Sequence, residues 1–346
     1  MAYQFGTDLL GFMNDHVIPD KVADQIGDVS PGLSLFLSSG RTETETGSQI
    51  PRTKSELLMG GKKVRRTLRH TRATARGSFA GYDILDADPN RKYDAALQEM
   101  IDYYVGLSWN WDEELAARGK EYVVNKLTAD MDGMVADMLD LMATGIYNSA
   151  ASRTGMQLKG LHGLRNLCDD DRTWWGIDST GYPWWDPGFD NTTAYSVATT
   201  TDPTHANHIL KLLRSGMNNC SAAGTQPTHI LTTQTIWGFI EDAIRHQQRY
   251  TGEDIGDIGF TRLRYHGAEI YWDSYCPAKH IFFVNQKGIG KRRTLGIVGR
   301  ENGWFHLTDW REPHNQMAKS RYLVNQCILY CDNPRLQGAY KNIAES

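Results

Sequence analysis

Four tryptophans stand in two adjacent pairs, Trp174–Trp175 and Trp184–Trp185, inside the stretch LHGLRNLCDDDRTWWGIDSTGYPWWD at 161–186. Two indole pairs within a dozen residues make a large, rigid apolar surface in an otherwise turn-rich segment. A fold that contains them must bury that surface in its core or against another subunit. A Gly-Ile-Asp-Ser turn at 176–179 separates the pairs, and Gly163, Leu164 and Leu167 form an apolar run just upstream. No simple catalytic motif has this form.

The 346 residues suffice for one large or two medium domains with a sizeable core. A net charge of −4 gives no global attraction to nucleic acid or anionic lipid, and a dedicated DNA-binding domain is usually strongly basic. The start, MAYQFGTDLLGFMNDH, lacks a basic n-region and a long apolar core, so it does not read as a signal peptide. No window approaches a membrane span in length and hydropathy. Five scattered cysteines (Cys168, Cys220, Cys276, Cys327 and Cys331) suit a reducing compartment better than a disulfide scaffold. The triplet Asn191-Thr192-Thr193 then reads as a chance glycosylation match.

Residues 1–50 are weakly periodic, with Pro19, Pro31 and a Thr/Glu-alternating patch, and read as an extended arm with at most short helices. From Leu57 to Tyr82 there is no acidic residue, while seven basic ones fall there: Lys62, Lys63, Arg65, Arg66, Arg69, Arg72 and Arg76. Alternation puts Lys63, Arg65, Thr67, Arg69 and Thr71 on one face and Val64, Arg66, Leu68, His70 and Arg72 on the other. Neither face is apolar enough to cover a core, so the expectation is a two-stranded ribbon projecting from the body. Such a ribbon is marginally stable alone and needs support from outside its own domain.

Residues 112–148 carry the strongest helical pattern. Asn110 and Glu113 resemble a capping box. Tyr122, Val123, Leu127, Met131, Met134, Val135, Met138, Leu141, Met142 and Ile146 form one stripe. A continuous helix there is roughly 50 Å long. Beyond the tryptophans the pattern alternates: helix at His205–Asn218, strand at His229–Thr232, helix at Thr235–Tyr250, strands at Arg262–Trp272 and His280–Asn285. The block 203–290 therefore predicts an α/β subdomain. Strand-like segments return at Trp304–Leu307 and Tyr322–Tyr330.

Candidate chemistry is sparse. Cys327 and Cys331 on a strand lie roughly 13 Å apart, too far to share one zinc ion. His205 and His208 share a helix face but lack an accompanying carboxylate or thiol cluster, so exposed helix positions are expected. Gly288-Ile289-Gly290-Lys291 lacks the first Gly and the Ser/Thr of a phosphate-binding loop and reads as a loop tip. Asp169-Asp170-Asp171 reads as a solvated loop or a partner for basic side chains. No catalytic constellation and no cofactor or metal site is expected. What remains are projecting segments, a long helix, much aromatic surface and separated charge blocks, all features of an assembly protein.

The segment Gly77-Ser78-Phe79-Ala80-Gly81-Tyr82-Asp83-Ile84-Leu85-Asp86 resembles the G-S-F-x-G-Y-D-x-L-D signature of a large group of tailed-phage major capsid proteins. Gly160-Leu161 and Gly163-Leu164 resemble the G-L motif of that group, and Gly176-Ile177-Asp178-Ser179 followed by Trp184-Trp185 resembles its G-I-D-x-S…W-W pattern. The motifs occur in the family's order over roughly residues 60–190. The chain is thus similar to the Hong Kong 97-like capsid proteins. It departs from them after Leu85-Asp86, where Ala87-Asp88-Pro89-Asn90 stands in place of Thr-Thr-Pro-Gln.

The resemblance implies an α+β fold with an N-terminal arm (1–50), an extended E-loop hairpin (51–108), a P-domain with a spine helix (109–202), an α/β A-domain (203–295) and a return to the P-domain (296–346). It implies a structural protein with no enzymatic role, located in the virion and assembled in the host cytoplasm. Pentamers and hexamers of the chain would close an icosahedral shell around double-stranded DNA. The further partners would be a separate scaffolding protein, a portal and a decoration protein, with no membrane involved. Arg65, Arg66, Arg69 and Arg72 would lie over acidic patches of an adjacent subunit, and Trp184 and Trp185 would anchor packing where subunits meet. The alternative is the shell of a cellular nanocompartment with the same fold.

Overall fold

The structure, a computed structural model, describes residues 30–37, 57–58, 60–72, 75–85, 93–112, 126–148, 164–168, 173–187, 208–222, 224–245, 263–287, 294–300, 303–314 and 316–344. In chain order the helices are α1 (Pro31–Leu37), α2 (Lys126–Tyr147), α3 (Leu164–Leu167), α4 (Ile209–Asn219) and α5 (Gln234–Arg245). The strands are β1 (Leu57–Leu58), β2 (Lys63–Arg69), β3 (Tyr93–Glu99), β4 (Ile101–Asn110), β5 (Thr173–Trp174), β6 (Ile177–Asp178), β7 (His229–Thr232), β8 (Leu263–Tyr265), β9 (Ala268–Trp272), β10 (Ile281–Val284), β11 (Leu295–Arg300), β12 (His306–Leu307), β13 (Ala318–Cys331) and β14 (Gly338–Tyr340). Two compact units result, one of 1–28, 102–141 and 303–325, the other of 29–101, 142–302 and 326–346.

In the first unit β4 alternates inward Tyr103 and Trp109 with outward Tyr104 and Ser108, the signature of a half-covered strand. The Trp109 indole donates to Asp130 of α2 across 3.3 Å. β12 lies antiparallel to β13, His306 opposite Val324. Helix α2, whose residues from Met142 onward belong to the second unit, buries Met134, Met138, Met142 and Ile146, four positions spaced by four, as the methionine-rich stripe predicts. The unbranched thioethers fill irregular gaps between α2 and its surroundings.

The larger unit contains a five-stranded sheet ordered β14-β10-β7-β9-β8. β7 and β9 run parallel, and every other pairing in it is antiparallel. α4 and α5 place Ile209, Leu213, Ile236 and Ile240 against Ile230, Ile270, Ile281 and Phe283 of the sheet. The α/β block read from the sequence is therefore present. Its boundaries differ at several points.

Arg262–Trp272 is not one strand: His266 and Gly267, both at positive φ, turn β8 back onto β9. His208 is not an exposed helix residue; it stands at the N-cap position of α4 and is buried. The strands within 296–346 divide between two sheets. β11 and β13 pair with each other, but β14 adds to β10 of the α/β sheet, Ile281 opposite Tyr340. Three residues carry too little periodicity to announce a partner, and Gly338, Ala339 and Tyr340 are buried together by that edge. The strand read at Trp304–Leu307 is confined to His306–Leu307.

Cys327 and Cys331 lie on β13 as expected, and all five thiols are buried and none forms a disulfide. Burial, then the neighbouring Cys168 thiol, pushes the Cys220 thiol far above its ordinary range, leaving it a neutral core group. His205, Asp169-Asp170-Asp171 and Gly288–Lys291 lie outside the described residues.

Candidate subunit-contact surface

β2 and β3 form a separate two-stranded ribbon with Lys63 opposite Glu99 and Arg69 opposite Tyr93. It is a ribbon, as the residue pattern predicts, but one face is covered. Val64 and Leu68 are buried and Arg66 is half-buried. The sequence reading counted Arg66 and His70 as unable to cover a core, and the structure shows how they do. The Arg66 guanidinium sits 4.0 Å above the Tyr330 ring and 3.7 Å from the Asp332 carboxylate. The His70 imidazole stacks on Trp184 with centroids 4.9 Å apart. A guanidinium and an imidazole each offer a flat face to an aromatic ring, so polar positions here act as packing residues.

The tryptophan segment supplies the other side of that contact. β5 and β6 are joined by Trp175 and Gly176, both at positive φ, in a two-residue hairpin. The reversal is thus at 175–176, one step earlier than the Gly-Ile-Asp-Ser turn read from the sequence. A bulky residue at positive φ is uncommon, and two hydrogen bonds hold Trp175 there. Its indole donates to the Leu329 carbonyl at 3.2 Å, and its own carbonyl accepts from the Leu97 amide of β3 at 3.0 Å. The Trp185 indole donates to the Trp174 carbonyl at 3.1 Å, and Trp184 meets Trp185 edge to face at 5.5 Å. Trp174, Trp175 and Trp185 are buried, while Trp184 keeps part of its ring in solvent.

Beyond the ribbon the chain forms a turn at 77–85. The Ala80 amide donates to the Asp83 carboxylate at 2.8 Å, and the Asp83 amide donates to the Ala80 carbonyl at 2.9 Å. Asp83 therefore closes the turn and throws its neighbours outward. Phe79, Tyr82, Ile84 and Leu85 are 69%, 104%, 98% and 66% exposed. Isolated exposed apolar residues are ordinary, but four within seven positions make a contiguous patch of the kind that marks an interaction site.

The six residues singled out from the sequence thus divide. Arg65, Arg69 and Arg72 are exposed, Arg66 is engaged within its own chain, and Trp184 is half-exposed. Trp185 is 2% exposed and is packed within its own chain. The sequence reading did not single out the apolar tip. Its signal was available in Phe79, Tyr82, Ile84 and Leu85, four large apolar side chains crowded around Gly81 in a stretch with too few others to build a core.

Among the described residues no cluster of three or more His, Cys, Asp or Glu side chains could hold a metal ion. Among the same residues no helix is long and apolar enough to cross a membrane.

No family model matches the chain, and no curated protein matches it by sequence. Solved structures do match. The capsid asymmetric unit of cyanophage A-1(L) aligns with a TM-score of 0.59 at 15% identity, covering 83% of this chain and 90% of that one. The capsid of Myoviridae phage XM1 aligns with a TM-score of 0.53 at 8% identity, covering 99% of both chains. The holo-SrpI encapsulin complex from Synechococcus elongatus PCC 7942 aligns with a TM-score of 0.52 at 8% identity, covering 87% of this chain and 93% of that one. What these share with the chain is a mixed α+β architecture. The fold is the Hong Kong 97-like capsid fold.

Proposed function

We propose that the chain is the major capsid protein of a tailed phage, assembling into pentamers and hexamers that close an icosahedral shell around double-stranded DNA. The observation that carries this reading is the tip at 77–85, an apolar patch exposed at the end of a ribbon in a chain with the capsid fold. Exposed apolar area stabilises an assembly by roughly 25 cal/mol for each Å² it removes from water, and a shell repeats the contact at every subunit. The apolar tip docks on a second copy, and Arg65, Arg69 and Arg72 set its register by charge. Each exposed ion pair adds only about 0–1 kcal/mol, weak enough for misplaced subunits to dissociate before closure.

In this reading residues 1–50 serve as the arm, 51–108 as the E-loop, 109–202 with the first part of 296–346 as the P-domain, and 203–295 with β14 as the A-domain. A separate scaffolding protein, a portal and a decoration protein complete the particle, which assembles in the host cytoplasm. Electron microscopy of the purified chain, alone and with scaffold, tests the proposal. Uniform closed shells are expected, and a stable monomer under all conditions overturns it.

The second reading is a cellular nanocompartment shell, favoured by the match to the encapsulin. Particle contents separate the two. Packaged DNA gives strong absorbance at 260 nm, whereas an enzyme cargo gives a second protein band. The phage-type signature at 77–86 supports the first.

A further inference from the structure

Asp273, at the end of β9, is 1% exposed, yet among the described residues no cation is paired with it. Four donors from three chain segments converge on its carboxylate. Oδ2 accepts from the Ser30 hydroxyl at 2.6 Å, the Gly32 amide at 3.0 Å and the Tyr147 hydroxyl at 2.8 Å. Oδ1 accepts from the Tyr275 amide at 3.0 Å. The Tyr147 hydroxyl is held in its neutral, donating form, because burial and the nearby Asp273 and Cys276 charges raise its pKa well above the ordinary value. The Ser30 hydroxyl also accepts from the Leu33 amide at 3.1 Å and so caps α1. A methyl group at position 32 would overlap the Tyr147 hydroxyl and lie 2.8 Å from Oδ2, so the close approach requires glycine.

α1 itself is a short apolar plug. Leu33, Phe36 and Leu37 are buried, and the helix packs against β9 and β11. The Gln286 side-chain amide also donates to the Leu35 carbonyl at 3.0 Å. Seven residues are too short for a helix to persist without tertiary support. The segment is thus held by side-chain ties and apolar packing, and the described strand ladders run through other segments.

We propose that Asp273 is a latch, and that residues 30–37 form a strap with two states, seated against β9 and β11 or released, independently of the sheet that carries the latch. Removing the Asp273 charge weakens all three bonds to Oδ2 together, and they hold the strap at its first turn. The β7, β9 and β10 ladder does not depend on those bonds. The inference does not rest on the shell reading, since every contact lies within one chain.

Amide hydrogen exchange on the full-length, unassembled chain tests it. Asp273→Asn is expected to accelerate exchange at residues 33–37 by roughly ten- to hundredfold while β7 and β10 keep their protection. Ser30→Ala removes one donor and leaves the carboxylate, so it should produce the same local pattern at smaller amplitude even if Asp273→Asn fails to fold. Unchanged exchange at 33–37 in Ser30→Ala overturns the latch. Equal acceleration in the strap and in β7 and β10 overturns it as well, because Asp273 is then part of one cooperative core.

Discussion

The turn at 77–85 and the hairpin at 173–187 are both short, glycine-bearing and rich in large apolar side chains. The hairpin buries Trp174, Trp175 and Trp185 and finds acceptors within its own chain for the Trp175 and Trp185 indole N–H groups. The tip leaves Phe79, Tyr82, Ile84 and Leu85 in solvent and uses its one well-placed carboxylate to hold a turn that keeps them there. Apolar content alone therefore does not tell a core from a contact surface. What separates them is whether another part of the same chain comes within reach. The ribbon between the two regions makes the contrast mechanical: its root is fastened by Arg66 and His70, and the turn beyond it is bare.

That contrast can be broken by substitution, and the expected losses in stability of the isolated chain fall in a definite order. Trp185→Ala opens a cavity beneath Trp174 and should cost about 3–5 kcal/mol in urea denaturation. A loss below about 1 kcal/mol would show that the hairpin is not core. Arg66→Ala removes a cation–π contact and a partly exposed ion pair, with an expected cost of about 1 kcal/mol. The accompanying sign is faster amide exchange along β2 and β3. His70→Ala removes the stack on Trp184 and should cost roughly 0.5–1 kcal/mol, with a change in tryptophan fluorescence as the indole gains exposure.

The smallest change in stability belongs to the tip. Phe79→Ser, Tyr82→Ser and Ile84→Ser together should change the unfolding free energy by less than about 0.5 kcal/mol, because these side chains bury little in the single chain. The same triple variant should lose particle formation by electron microscopy and sedimentation. Normal particles from a folded triple variant would remove the tip from the assembly mechanism, while a strongly destabilised monomer would remove the contrast itself.

Much of the architecture was legible without coordinates, for reasons particular to each element. The stripe of Met134, Met138, Met142 and Ile146 repeats often enough to predict α2, and the short run His229–Thr232 reads as the strand it forms. The acid-free run with alternating bases predicted a ribbon, and its pairing partner is β3. Other features were not legible. β14 is too short to carry a period, and its partner β10 precedes it by more than fifty residues. The cover on β2 was hidden because hydropathy ranks arginine and histidine as polar, whereas their flat faces pack on Tyr330 and Trp184. The burial of Trp185 within its own chain was not legible either, because a sequence shows that a surface must be covered, and does not show by what.

The sequence by itself determined the class of element at most of the described positions and the motif order that resembles the capsid family. These follow from local periodicity and residue chemistry, which act over a few neighbouring positions. Only the tertiary structure decided which apolar groups are satisfied within the chain, that β14 completes the α/β sheet, and that Ser30, Gly32, Tyr147 and Tyr275 meet at Asp273. Those outcomes depend on segments up to 243 residues apart in the chain meeting within hydrogen-bond range, and no local pattern carries that distance. The two tryptophan pairs demanded a partner from the start; the fold supplied it from within the chain and left the demand open at the tip.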